Sequence, residues 1–311
     1  MAGRYINPFT DFGFKKLFGT EVNKDLLIDF LNSLLHAEGK IESLTYLPTE
    51  RLGGGHFERK AIFDVYCEND RGEKFIVEMQ KAEQDYFKDR SIFYSTFPIQ
   101  EQAPRGKWDF HLNAVYTVGL LDFVFAEDRH KNEVMHHEIK LMDTASKKVF
   151  YDKLTFIYLE MPKFHKSEDE LETNFDRWMF LLTHMEVLDR CPKSLQTRIF
   201  QKAFEVAEIA CYTPTERREY EESLKIYRDL INVVNTASRK GQQKGEKRGL
   251  KKGLEQGLKK GLEQGMKEGK EIGRQEAIEK VARQAISQGL PTATIADLTG
   301  LSPAEIEKLR K

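Results

Sequence analysis

Two acidic residues, Asp64 and Glu78, and an amide at Gln80 are the residues of this chain whose types and spacing point most directly to chemistry. They lie in the stretch 57–80, FERKAIFDVYCENDRGEKFIVEMQ. Apolar residues alternate there at Phe63 and Val65, and again at Phe75, Val77 and Met79. A period of two marks strands with one buried face. Asn69-Asp70-Arg71-Gly72 supplies the turn between them, with Gly72 free to take positive φ. A hairpin folded about Arg71 sets Asp64 opposite Glu78 and Tyr66 opposite Ile76. Asp64, Glu78 and Gln80 then share one face, and the apolar set takes the other. Opposed residues have Cβ atoms roughly 4.5–5.5 Å apart. Carboxylates that close repel unless a cation, a shared proton or full solvation relieves them. The chemistry this suggests is a divalent metal held by two carboxylates. The plainer reading is a solvated hairpin face that happens to carry an acid on each strand.

Other candidates flank this pair. Arg90 and Tyr94 are four apart, on one face of a helix expected between Asp85 and about Gln102. A guanidinium fork can grip a phosphate through two parallel hydrogen bonds. The alternative is an Arg90 paired with Glu101 or Asp85. Asp11 and Lys15 are likewise four apart and adjacent on a helix, either as a cap with an exposed ion pair or as part of a site. His136 and His137 have no spaced ligand partner, so zinc is not expected there. Leu52-Gly53-Gly54-Gly55 lacks the Lys-Ser/Thr ending of a phosphate-cradling loop and reads as a flexible connection.

The elements that must position these groups can be read in outline. Thr10 or Asp11 caps a helix carrying Phe14, Leu17 and Phe18, and Leu26, Leu27, Phe30, Leu31, Leu34 and Leu35 continue at helical spacing. Residues 41–50 form a short strand. The nearly continuous apolar run 112–125 suits a central strand covered on both sides. Strands are also expected from His136 and over 154–161, where Pro162 ends the second. From about Glu168 to Ile231 the pattern is helical, with apolar stripes that belong to a core. The fold class is therefore α/β.

The 311 residues suit one large domain or two smaller ones, and 40% hydrophobic content supports a substantial core. A net charge of −1 names no partner, so any nucleic-acid surface is a local patch. Cys67, Cys191 and Cys211 form neither a disulfide framework nor a metal knuckle, which fits a reducing compartment. With no secretory leader at the start and no run long enough to span a bilayer, a soluble cytoplasmic protein with no membrane partner is expected.

The C-terminal region is periodic. Glycine recurs at every fourth position from Gly241 to Gly273, and the octad GLKKGLEQ occurs twice in succession. A helix turns about 400° in four residues, so the glycine row winds around the axis. Each interior glycine costs about 1 kcal/mol relative to alanine. The segment is expected to be a linker of marginal helicity unless another helix packs along the row. Residues 276–311 read as a small helical unit resembling half of a helix-turn-helix, with Ser302-Pro303 opening its last helix. That last helix is acidic early, which favours protein docking or dimerisation over reading of DNA.

Taken together, NPFTDFGFKKLFG, FDVYCENDRGEKFIVEMQ, DRSIFYS, KLTFIYLEMPKF with Trp178, and the glycine-repeat tail resemble the PD-(D/E)XK nuclease family transposases of the recombination-promoting nuclease (Rpn) type. The resemblance is close over roughly residues 4–235 and loose in the tail. It implies a restriction-endonuclease-like mixed β-sheet core flanked by helices, with a helical C-terminal half. It divides the chain into a core over 1–165, a helical extension over 166–238, the glycine segment over 239–275 and a helix-turn-helix-like unit over 276–311. It implies metal-dependent hydrolysis of DNA phosphodiesters, linked to recombination or mobile elements. Mg²⁺ is the expected ion, Mn²⁺ and Ca²⁺ being alternatives, held by Asp64, Glu78 and the Met79 carbonyl. Gln80 stands where the superfamily usually has lysine and can orient water only through its amide. Asp11 matches the family's N-terminal motif, and Lys15, Arg90 and Tyr94 are expected to support the site or bind phosphate. Cutting both strands would be simplest with two sites, so a homodimer is expected. The competing reading is a weak or inactive nuclease-like module that binds DNA or protein, and a third is a scaffold assembled through the tail.

Overall fold

A computed structural model of the chain describes residues 3–35, 39–51, 61–104, 106–128 and 133–310. The expected loop at 52–55 lies outside the described residues. Among the described residues there are eight strands: β1 (Leu44–Tyr46), β2 (Glu50–Arg51), β3 (Ala61–Ile62), β4 (Val65–Asn69), β5 (Lys74–Gln80), β6 (Val115–Leu121), β7 (His136–Asp143) and β8 (Lys148–Glu160). The α-helices are α1 (Asp11–Phe18), α2 (Lys24–Leu34), α3 (Phe87–Glu101), α4 (Asn174–His184), α5 (Arg198–Ala207), α6 (Pro214–Ser287), α7 (Thr292–Thr299) and α8 (Pro303–Arg310). Two compact units divide at Asn235–Thr236.

In the first unit six strands form one mixed sheet in the order β1-β4-β5-β6-β8-β7, and β2 and β3 pair separately. β5, β6 and β8 run parallel, while β4 and β7 are antiparallel to their neighbours. The parallel step from β5 to β6 needs a crossover, and α3 supplies it. The apolar run around residue 118 is the central strand β6, buried at every position.

The two faces of the sheet are covered differently. Val65, Cys67, Phe75, Val77 and Met79 meet Val118, Leu120, Ile157 and Leu159 in the main core, under α1, α2, α4 and α5. Trp178 of α4 is fully buried there and donates its indole N–H to Asp29 of α2 at 2.7 Å. On the opposite face Tyr66 and Ile76 pack under Tyr94 and Phe97 of α3. Phe63 joins this second cluster rather than the Val65 face. The alternation is interrupted at Phe63–Asp64, where the chain leaves β3 to enter β4.

In the second unit Ala282, Ala285, Ile295 and Ile306 form a small core from the end of α6, α7 and α8. Gly300, at φ 73°, ends α7 in the left-handed conformation. Ser302 and Glu305 exchange the hydrogen bonds of a capping box at the start of α8.

The glycine-repeat segment is helical rather than a separate tail, since residues 241–273 all lie within α6. Nucleation is the costly step of helix formation, and a segment that continues an existing helix needs only propagation. Three of every four positions hold good helix formers, and Gln242–Glu246 and Gln264–Glu268 add hydrogen bonds at i,i+4. Apart from the adjoining residues and the backbone of the helix itself, no described atom lies within 4 Å of where a Cβ would stand on any of these glycines. The second option, a helix packed along the row, is therefore not met among the described residues.

Candidate active site

Strand register brings the two acids together. Val65 pairs with Val77 and Tyr66 with Ile76, so the hairpin turns about Arg71 as its alternation predicts. Gly72 takes φ 75°, and Asn69 Oδ1 accepts from the N–H groups of Arg71 and Glu73 to fix the turn. One residue beyond the ladder, the Asp64 N–H donates to Glu78 Oε1 at 3.2 Å. Asp64 Oδ2 in turn accepts from the Met79 N–H at 2.9 Å. The carboxylates are thus interlocked through the backbone of the opposite strand.

Gln80 and Arg90 extend this network. Gln80 Nε2 donates to Glu78 Oε2 at 3.3 Å, and Gln80 Oε1 accepts from Arg90 Nη2 at 2.7 Å. Arg90 Nη1 donates to Gln84 Oε1 at 2.6 Å, and the guanidinium lies over the rings of Phe87 and Tyr94. Arg90 therefore bonds to amides, and its side chain is held by Gln80 and Gln84 rather than by Glu101 or Asp85. Tyr94 packs edge-on against Phe63 at 5.5 Å.

The electrostatics agree with two crowded, partly desolvated acids. Burial pushes the Glu78 carboxyl up to about 8, and the Asp64 charge adds to this. Burial also raises Asp64, partly offset by the Met79 N–H. Both groups would be relieved by a shared cation. Hard oxygen donors on two carboxylates suit a divalent ion such as Mg²⁺, so the residues present fit the metal that the sequence suggested.

Beside this network lies a cleft of about 810 Å³. Asp64, Asp11, Lys15 and Lys81 line it, with Thr49 and, from α6, Glu222 and Ser223. The Thr10 side chain caps α1 by accepting from Gly13, which sets Asp11 and Lys15 at the cleft as an ion pair of 2.9 Å. The strand pattern does not single out Lys81. Its only sequence signal is its place directly after Gln80.

A second cluster was illegible in the sequence. Asp128, His137 and Glu160 each offer a donor atom, all within 4.8 Å of one another. Histidine partners were absent from the neighbouring sequence because they come from a loop and from the next strand. His137 Nε2 lies 3.1 Å from Glu160 and 3.9 Å from Asp128. Glu160 is fully buried, accepts the Phe125 N–H at 2.6 Å and pairs with Lys163. Burial alone would raise its carboxyl, but Lys163, Phe125 and His137 together hold it below its usual range. A cation here would compete with a lysine already seated.

Comparison with known protein families gives two matches. Residues 8–237 match the family described as PD-(D/E)XK nuclease family transposase. The match covers most of the chain, and the chain belongs to that family. Residues 274–311 match the Rpn/YhgA-like nuclease family C-terminal HTH domain, which begins within α6 and takes in α7 and α8. No curated protein and no solved structure matches the chain. Among the described residues, no helix is long and apolar enough to cross a membrane.

Proposed function

We propose that this protein is a Mg²⁺-dependent DNA endonuclease with its site at Asp64, Glu78 and Gln80. The observation that carries the reading is the interlocked Asp64–Glu78 pair, whose raised carboxyls call for a cation. Asp64, Glu78 and the Met79 carbonyl would hold Mg²⁺, with Mn²⁺ or Ca²⁺ as substitutes. The ion would supply charge neutralisation and an acidified water at neutral pH. Gln80 fixes the Glu78 carboxylate and takes its own orientation from Arg90. Tyr94 supports the guanidinium from one face. The Asp11–Lys15 pair lines the cleft in which a phosphodiester would lie.

DNA is the proposed partner at the cleft, and the match of residues 274–311 to a C-terminal HTH domain supports a second DNA contact there, in place of the docking role that the acidic start of α8 suggested. A homodimer would give one site per strand. The family's description as a nuclease family transposase supports a role in recombination or mobile-element biology. A plasmid-nicking assay with and without Mg²⁺ tests the reading. Wild type is expected to nick only with Mg²⁺, and Asp64→Ala to be inactive while melting normally. Nicking by Asp64→Ala, or nicking undiminished by EDTA, would refute the site. Metal-independent DNA binding without nicking would favour the non-cutting reading.

A further inference from the structure

Gln80 leaves the site without the cation that this position usually supplies, and the first question is which neighbouring cation is available. Arg90 is bound to Gln80 and Gln84. Lys15 is paired with Asp11, and Lys16 with Glu216. Lys81 makes no hydrogen bond and no ion pair with the described residues. It is half-buried at the end of β5 and lines the same cleft as Asp64 and Asp11, whose negative charges both act on it. An ammonium on a four-carbon stem carries three rotatable donors, and one held near two carboxylates without bonding to either can turn to an incoming anion.

We propose that Lys81 contacts the scissile phosphate and takes over the charge-stabilising part that an amide at Gln80 cannot play. This rests on the nuclease reading above. In that hydrolysis the water oxygen bonds to phosphorus and one P–O ester bond breaks. The attacking water gives up a proton to solvent, and the departing oxygen takes one up. Negative charge builds on the non-bridging oxygens meanwhile, and a cation placed at them acts mainly in the transition state. The competing role is structural, with Lys81 only neutralising Asp11 and Asp64. Removing a merely neutralising lysine would leave the chemical step intact and would tighten Mg²⁺ binding at Asp64.

The two roles separate in single-turnover cleavage of plasmid by wild type, Asp64→Ala, Lys81→Met and Lys81→Arg, with Mg²⁺ titrations and melting curves for each. Lys81→Met is expected to lose about 100-fold or more in rate at saturating DNA, the scale of losing one charge-stabilising donor. It should still bind Mg²⁺ and melt like wild type. Lys81→Arg keeps the charge and should recover most of the loss. Cleavage by Lys81→Met within about twofold of an active wild type would overturn the Lys81 assignment and leave the nuclease reading standing. Wild-type protein that does not cleave at all would overturn the nuclease reading and this assignment with it.

Discussion

Gln80 accepts a hydrogen bond from Arg90 at 2.7 Å while donating one to Glu78 at 3.3 Å, so it couples a guanidinium to a half-buried carboxylate. This is a positional use of an amide that a lysine could not reproduce. A lysine has three donors and no acceptor, and at this point it would face the donors of Arg90. Gln80 and the position of Arg90 are therefore one arrangement. Arg90 thus reaches Glu78 only through Gln80.

Arg90→Lys should consequently act through Gln80. The variant keeps the charge but loses the fork that binds Gln80 and Gln84 together. Groups that orient a metal's ligands typically cost 10–100-fold in metal affinity or activity when changed. Isothermal titration of Mg²⁺ into the variant is the check, with a loss of about that size expected. Unchanged Mg²⁺ affinity and unchanged nicking would show that Gln80 needs no such support.

Gly13 should be intolerant of even one methyl group. A Cβ there would stand 2.3 Å from the Asn7 carbonyl oxygen and 2.8 Å from Thr10 Oγ1. Both atoms are fixed, because Thr10 Oγ1 donates to Asn7 O and accepts from the Gly13 N–H. Overpacking of this kind costs about 1–3 kcal/mol. Gly13→Ala should lower Tm measurably and, by shifting α1 with Asp11 and Lys15, slow nicking as well. A variant that melts and cleaves like wild type would show that the turn can yield.

The hairpin register, and with it the Asp64–Glu78 pairing, was legible because a local turn fixes it. The Asn69–Gly72 chemistry and the alternation in β5 leave one way to fold. Phe63 leaves the Val65 face because β3 pairs with β2 in a separate two-stranded sheet, and local periodicity does not report the break between β3 and β4. Arg90 and Tyr94 adjoin as their spacing of four predicts, but the Arg90 partners Gln80 and Gln84 emerge only from the docking of α3 on the sheet. His137 met Asp128 and Glu160 for the same reason: β7 and β8 bring together residues 23 positions apart. For the glycine segment, local propensity pointed towards a marginal linker, whereas helix on either side removes the nucleation cost.

The glycines of α6 are the least defended part of that helix. Nothing within 4 Å would oppose a methyl group at Gly253, Gly257 or Gly261. Each Gly→Ala there should add about 1 kcal/mol of helix stability. Hydrogen exchange of the full chain is expected to slow across residues 249–265 in the triple alanine variant, with nicking by the first unit unchanged. Faster exchange, or a loss of solubility without added protection, would show that the row serves something other than the helix.

Acidity and metal should be linked at Glu78. In the unfolded chain this carboxyl titrates in its usual range, about 4.3, whereas burial beside Asp64 pushes it up to about 8 in the folded protein. Between those values the folded state holds a proton that the unfolded chain releases. Stability then falls as pH rises, because the unfolded state binds fewer protons. For the metal-free protein this contribution is fully present below the usual carboxylate range and is lost as pH rises through about 8. On the proposed reading Mg²⁺ would bind the ionised pair, so its stabilising effect should grow over the same interval, where the apo protein weakens. Thermal melts in EDTA and in Mg²⁺, taken between pH 6 and about 8.5 on wild type and Glu78→Gln, read both effects. The wild-type curves should diverge as pH rises, and those of Glu78→Gln should stay nearly parallel because no proton remains there to lose. Wild-type curves that stay parallel would mean that Glu78 is ionised without help, and the case for a cation between it and Asp64 would fall with them.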